Sequence, residues 1–219
     1  MKPIVHRSLP RHSLRTLRGS ACLLALILAM FLVEFATGAI GDDRRLLALG
    51  ALPDSGAIHG EYWRLLTFGF LHGDLTHLLL NMILLVLAAP ALERRAGTGW
   101  LLILFLAASV ASGFGILVKH QLWPSHGASV GASGGLFCLL AAALVLVLRP
   151  GAQSPLLRGG LIVALIAGLA YSLLPGISMV GHLTGIAIGG LIARFIPLDS
   201  KLQRASSPAE PTLAVEPDG

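Results

Sequence analysis

Gly131-Ala132-Ser133-Gly134-Gly135 runs directly into Leu136-Phe137-Cys138-Leu139-Leu140-Ala141-Ala142-Ala143-Leu144-Val145-Leu146-Val147-Leu148, a stretch without a single charge. So long an apolar run reads as a membrane span. Five more stretches of similar character occur, giving candidate spans at about 20–40, 77–96, 99–118, 131–148, 158–175 and 178–196. Backbone exposed to lipid has to satisfy its own hydrogen bonds, so spans of this length are helices. The expected fold class is therefore an all-α membrane protein built as a bundle of six transmembrane helices.

Composition agrees. Charged residues make up 12% of the chain and the mean hydropathy is +0.80, whereas a soluble domain carries about 25% charged residues. The 26 glycines suit membrane helices that pack backbone to backbone. A net charge of +5 does not point to nucleic acid, because most of the basic residues flank apolar segments, as orientation signals do. Cys22 and Cys138 lie in different apolar segments. They lack metal-ligand spacing and read as small buried residues.

Three units are expected along the chain: a basic segment at 1–19, the membrane domain at 20–197 and a disordered tail at 198–219, rich in Ala, Ser, Pro and Glu. The acid-free N-terminus also has the look of a transit peptide or signal n-region, but Glu34 near the outer end of the first span favours a retained helix. An even number of spans puts both termini on one side. Lys2, Arg7, Arg11, Arg15, Arg18, Arg94, Arg95, Arg149, Arg158, Arg194, Lys201 and Arg204 all fall on that side. The positive-inside rule makes it the cytoplasm.

Polar side chains at membrane depth are functional candidates by default. Ser133 stands near the start of a helix, where free N–H groups and the macrodipole favour developing negative charge. His182 lies beside a stripe of Gly181, Gly185 and Gly189, whose spacing of four gives a flat face for close helix approach. His77 and Asn81 are also four apart and project from one face of their helix. Each pattern alone is equally a packing device. Together they place Ser133, His182 and His77 towards the outer ends of three separate spans. A serine and a histidine in one layer have the chemistry of a nucleophile and its base, and an Asn amide and a His ring N–H have that of oxyanion donors. Neither Glu34 nor Asp74 is well placed to complete a triad, so a Ser–His dyad is the economical expectation.

These motifs resemble the rhomboid intramembrane serine proteases. The likeness rests on Trp63-Arg64, on His72, His77 and Asn81 in one segment, on Gly131-Ala132-Ser133-Gly134 and on Gly181-His182-Leu183-Thr184-Gly185, in that order over about residues 60–196. The resemblance implies a six-helix rhomboid-like bundle with Ser133 as nucleophile and His182 as general base. It implies His77, Asn81 and the Ser133 backbone N–H as the oxyanion hole, supported by His72, Gly131, Gly134, Phe137 and Gly185, with no metal or cofactor. It implies membrane-protein substrates cut near the outer face, and an element around Trp63-Arg64 lying in the outer leaflet. The compact form also resembles the rhombosortase branch of bacterial rhomboids, and a bacterial inner membrane is the expected location. One position departs from the pattern: Phe137 stands where the family usually has Tyr. Two rival readings are a catalytically inactive rhomboid-like protein that binds membrane clients, and a metal carrier using His72, His77 and His182. The rivals are weakened respectively by the presence of both Ser133 and His182 and by the lack of His-Glu-x-x-His spacing.

Overall fold

The computed structural model describes residues 17–149 and 154–197. The expected 198–219 tail and most of the 1–19 segment lie outside the described residues, as do Lys2, Arg7, Arg11, Arg15, Lys201 and Arg204.

Eight α-helices are present among the described residues. Six are the long apolar ones: α1 (Arg18–Thr37), α4 (Leu75–Ala96), α5 (Thr98–Leu122), α6 (Ser133–Leu148), α7 (Pro155–Tyr171) and α8 (Met179–Ile192). Two short helices, α2 (Asp43–Leu49) and α3 (Arg64–Thr67), belong to the first loop. α1, α4 and α5 are long and apolar enough to cross a membrane, and α6, α7 and α8 are shorter apolar helices. α1 begins at Arg18, so the expected boundary at residue 20 falls inside the helix.

α6 is the axis of the bundle. Every residue from Gly134 to Ala143 is buried, which explains why its sequence carries no polar face. α4 shows the other pattern. Leu78, Asn81, Leu85, Ala88 and Leu92 are buried at helical spacing, while Leu79, Ile83 and Val86 are 54%, 62% and 63% exposed. Apolar side chains facing outward on a helix of this composition are its lipid surface. α7 buries only Leu161 and is the most peripheral wall.

Glycine sets the separation of α6 and α8. A Cβ at Gly185 would collide with the Gly134 carbonyl oxygen, and one at Gly189 with that of Cys138. The helices therefore meet backbone to backbone, as small-residue stripes allow. Arg149 ties their far ends together, donating to the carbonyls of Ile196 (2.7 Å) and Ala193.

Two buried carboxylates fasten the outer elements. Glu93 of α4 accepts from the Gly19 N–H (2.7 Å), the Ser20 N–H (2.9 Å), and the Ser20 and Thr98 hydroxyls (both 2.6 Å). It thereby caps the otherwise unsatisfied start of α1. Glu34 of α1 accepts from the backbone N–H groups of His72 (3.0 Å) and Gly73 (2.9 Å), fixing the loop that enters α4. In the first loop, Arg64 donates to the carbonyls of Leu47 (2.6 Å) and Ala51 (2.9 Å) and pairs with Glu61 at 2.8 Å. The segment around Trp63-Arg64 is thus a stapled structural element. β1 (Leu52–Pro53) pairs antiparallel with β2 (Ala128–Ser129), Leu52 opposite Ser129, and so links this loop to the approach to α6.

Candidate active site

Ser133 is the first residue of α6. The Gly-rich approach is extended rather than helical, and it makes two turns that need glycine. Gly127 has φ +134° and Gly131 φ +132°, a region closed to most L-residues. Gly131 also leaves no room for a side chain: a Cβ there would lie 2.7 Å from both Cε1 and Nε2 of His77. Its N–H donates to the Phe68 carbonyl at 3.0 Å.

α8 brings His182 to this point. The Ser178 hydroxyl caps α8 through the Gly181 N–H at 3.2 Å, and His182 sits within the first turns, 5% exposed. Its Nε2 lies 2.8 Å from Ser133 Oγ. Residues 49 positions apart in sequence thus meet at hydrogen-bond distance. The ring of Phe137 stacks on the imidazole, with centroids 4.3 Å apart and planes at 25°. Phe137 in turn occupies the space of a missing side chain at Gly168, where a Cβ would strike Phe137 Cζ.

A cavity of about 440 Å³ opens on this pair. Ser133, His182, His77, Asn81, Gly131, Gly134 and Phe137 all line it, with Leu80, Ile83 and Leu84 of α4 on one side and Ala164, Ala167 and Gly168 of α7 on the other. The Asn81 side chain is buried and its amide Nδ2 has no hydrogen-bond partner. An unspent buried donor is costly, and here it belongs to a residue that lines the cavity. Ser133 adds its backbone N–H, one of those that a helix start leaves without an intrahelical partner.

His77 needs a finer reading than its residue type suggests. Asp74 caps α4 through the His77 N–H at 2.8 Å. The His77 Nδ1 lies 3.0 Å from the carbonyl oxygen of His72. A carbonyl only accepts, so the proton is on Nδ1 and a neutral ring presents Nε2 as a lone pair. His77 becomes a donor at Nε2 only as the imidazolium. His72 itself is fully buried beside His77, with ring centroids 5.3 Å apart and both ring nitrogens without partners. It does not line the cavity. Gly185 does not either; it supports the site by admitting the Gly134 backbone.

Ser172 escaped sequence reasoning. It follows α7 directly, and its hydroxyl is 2.5 Å from His182 Nδ1 and 2.7 Å from the Gly168 carbonyl. A serine beside a helix end gives no periodic signal, and its partner lies in another helix. The acids weighed as third members, Glu34 and Asp74, are committed to backbone N–H groups elsewhere.

A model of the rhomboid domain matches residues 59–198. The chain belongs to the rhomboid family. It is 34% identical over 154 residues to YdcA of Bacillus subtilis (strain 168), described as a candidate rhomboid protease, covering 68% of this chain and 74% of that protein. The rhomboid protease GluP of the same organism is 34% identical over 169 residues, 76% of this chain but 32% of GluP. The rhomboid protease GlpG of Enterobacter sp. (strain 638) is 29% identical over 177 residues, 78% of this chain and 62% of GlpG. Family membership sets the class of this rhomboid: an integral membrane serine endopeptidase, acting on transmembrane substrates within the bilayer.

Proposed function

We propose that this rhomboid cuts peptide bonds through an acyl-enzyme formed on Ser133, with His182 as its general base and then acid. The observation that carries this reading is the 2.8 Å contact between His182 Nε2 and Ser133 Oγ in the wall of a cavity. His182 takes the Ser133 proton as Oγ attacks the substrate carbonyl. The tetrahedral oxyanion is held by the Asn81 amide and the Ser133 backbone N–H, and by His77 when its ring is cationic. His182 then gives its proton to the leaving amine, and the C–N bond breaks. Water, deprotonated by His182, attacks the ester; the C–Oγ bond breaks, and His182 returns the proton to Ser133 Oγ as the acid product leaves.

Substrates are single-span membrane proteins, cut near the outer surface at small residues. The cavity lies between α4 and α7 and reaches Ile83, which is 62% exposed. A substrate segment can therefore approach from the lipid side. Orientation follows from the helix ends. α4 begins near His77 and ends with Arg94 and Arg95, α6 begins at Ser133 and is followed by Arg149, and α8 begins near His182 and is followed by Arg194. The site thus sits at the end away from these arginines, which supports an outward-facing site and cytoplasmic termini in a bacterial inner membrane. Four basic residues lie at the site end, Arg44, Arg45, Arg64 and Lys119. Two of them are held structurally, Arg64 by its bonds to Leu47 and Ala51, and Arg45 by bonds to the Thr37 (3.1 Å) and Gly38 (3.0 Å) carbonyls.

The test is labelling of detergent-solubilised protein by a fluorophosphonate serine probe, paired with cleavage of a single-span model substrate. Wild type should label and cleave; Ser133→Ala should do neither at the wild-type melting temperature, and His182→Ala should do neither while still unfolding cooperatively. Cleavage by Ser133→Ala close to the wild-type rate would sink the assignment. A well-folded wild type that neither labels nor cleaves would return the client-binding alternative.

A further inference from the structure

The proton order around His182 is fixed by a group outside the dyad. The Ser172 hydroxyl has one proton and two neighbours. Gly168 O, at 2.7 Å, is a carbonyl and can only accept. The Ser172 proton is therefore spent there, and Ser172 can offer His182 only a lone pair. The 2.5 Å contact at Nδ1 is then a bond donated by the ring. With Nδ1 protonated, a neutral His182 has a bare Nε2, which accepts from Ser133 Oγ at 2.8 Å.

We propose that Ser172 is a positioning residue for this rhomboid, selecting the His182 tautomer that can act as a base and holding the ring's direction. It fills the place at Nδ1 that a carboxylate occupies in a Ser–His–Asp triad, but with a neutral acceptor that serves a desolvated site. α7 supplies the whole device. The Gly168 carbonyl sets the Ser172 hydroxyl, and the missing Gly168 side chain makes room for the Phe137 ring stacked on the imidazole. His182 is thus held at its edge by Ser172 and on its face by Phe137. Ser172 is 4% exposed, so water does not compete freely for Nδ1.

This inference rests on the Ser133–His182 reading, and the experiment separates the two. Full-length wild type, Ser172→Ala, Ser172→Thr and Ser133→Ala are compared on a single-span model substrate. ¹⁵N-histidine NMR, with the His182 signal assigned through His182→Gln, reports the tautomer. Ser172→Ala should lower kcat about two- to tenfold, the size of one neutral hydrogen bond, with KM unchanged. Its His182 should become a mixture of tautomers, and Ser172→Thr should restore both kcat and the Nδ1–H form. Wild-type kcat in Ser172→Ala with His182 still wholly Nδ1–H would overturn the inference. So would a wild-type enzyme whose resting His182 carries its proton on Nε2, a result that needs no variant to fold. Cleavage surviving in Ser133→Ala would instead overturn the dyad.

Discussion

The Phe137 ring is held so closely that its identity has a reason. Its Cζ points at Gly168 of α7, where even a Cβ would collide. A tyrosine hydroxyl extends from that same carbon. Phe137→Tyr should therefore overpack the contact, costing about 1–3 kcal/mol and read as a lower melting temperature with slower cleavage, although it restores the residue usual in the family. Phe137→Leu should keep the fold and loosen His182. Asn81 contributes differently. Its Nδ2 has no partner at rest, so Asn81→Ala should cost little stability while lowering kcat about 10²–10³-fold, measured on the same substrate. Ser133, His182, His77 and Asn81 were legible as candidates, because polar groups in apolar runs stand out. The proton on His77 was not legible, since it depends on the carbonyl of His72, which no side-chain pattern reveals.

Between elements, the decisive contacts are those that exclude side chains. Gly185→Val should separate α8 from α6, because its Cβ has only the Gly134 carbonyl to occupy. Loss of probe labelling together with a lowered melting temperature is the expected result. Gly131→Ala combines an unfavourable φ of +132° with a Cβ 2.7 Å from the His77 ring, and should cost about 1–3 kcal/mol in backbone strain alone, seen by thermal denaturation in detergent. The stripe of Gly181, Gly185 and Gly189 announced a close helix pair in the sequence. Its partner followed only from pairing His182 with Ser133, because a glycine face says how near a neighbour comes and not which neighbour it is. The short α2, β1 and β2 were invisible, and α3 was expected only through the family resemblance around Trp63-Arg64. They are held by Arg64, by backbone pairing of Leu52 and Pro53 with Ser129 and Ala128, and by the Ser129 hydroxyl on Asp54, not by local periodicity.

At the scale of the molecule, apolar run length was enough to find all six long helices, with ends shifted by a few residues where caps such as Asp74 and Ser178 set the true start. The order of those helices has a further consequence. Ser133 opens the fourth of them and His182 lies in the sixth, and a chain is synthesised from its N-terminus. On the proposed mechanism, the nucleophile reaches the membrane before its base exists, and it stays an ordinary alcohol until the glycine face of α8 docks on α6. Until then a half-made protease of this design has no base for its serine and cannot begin acyl transfer.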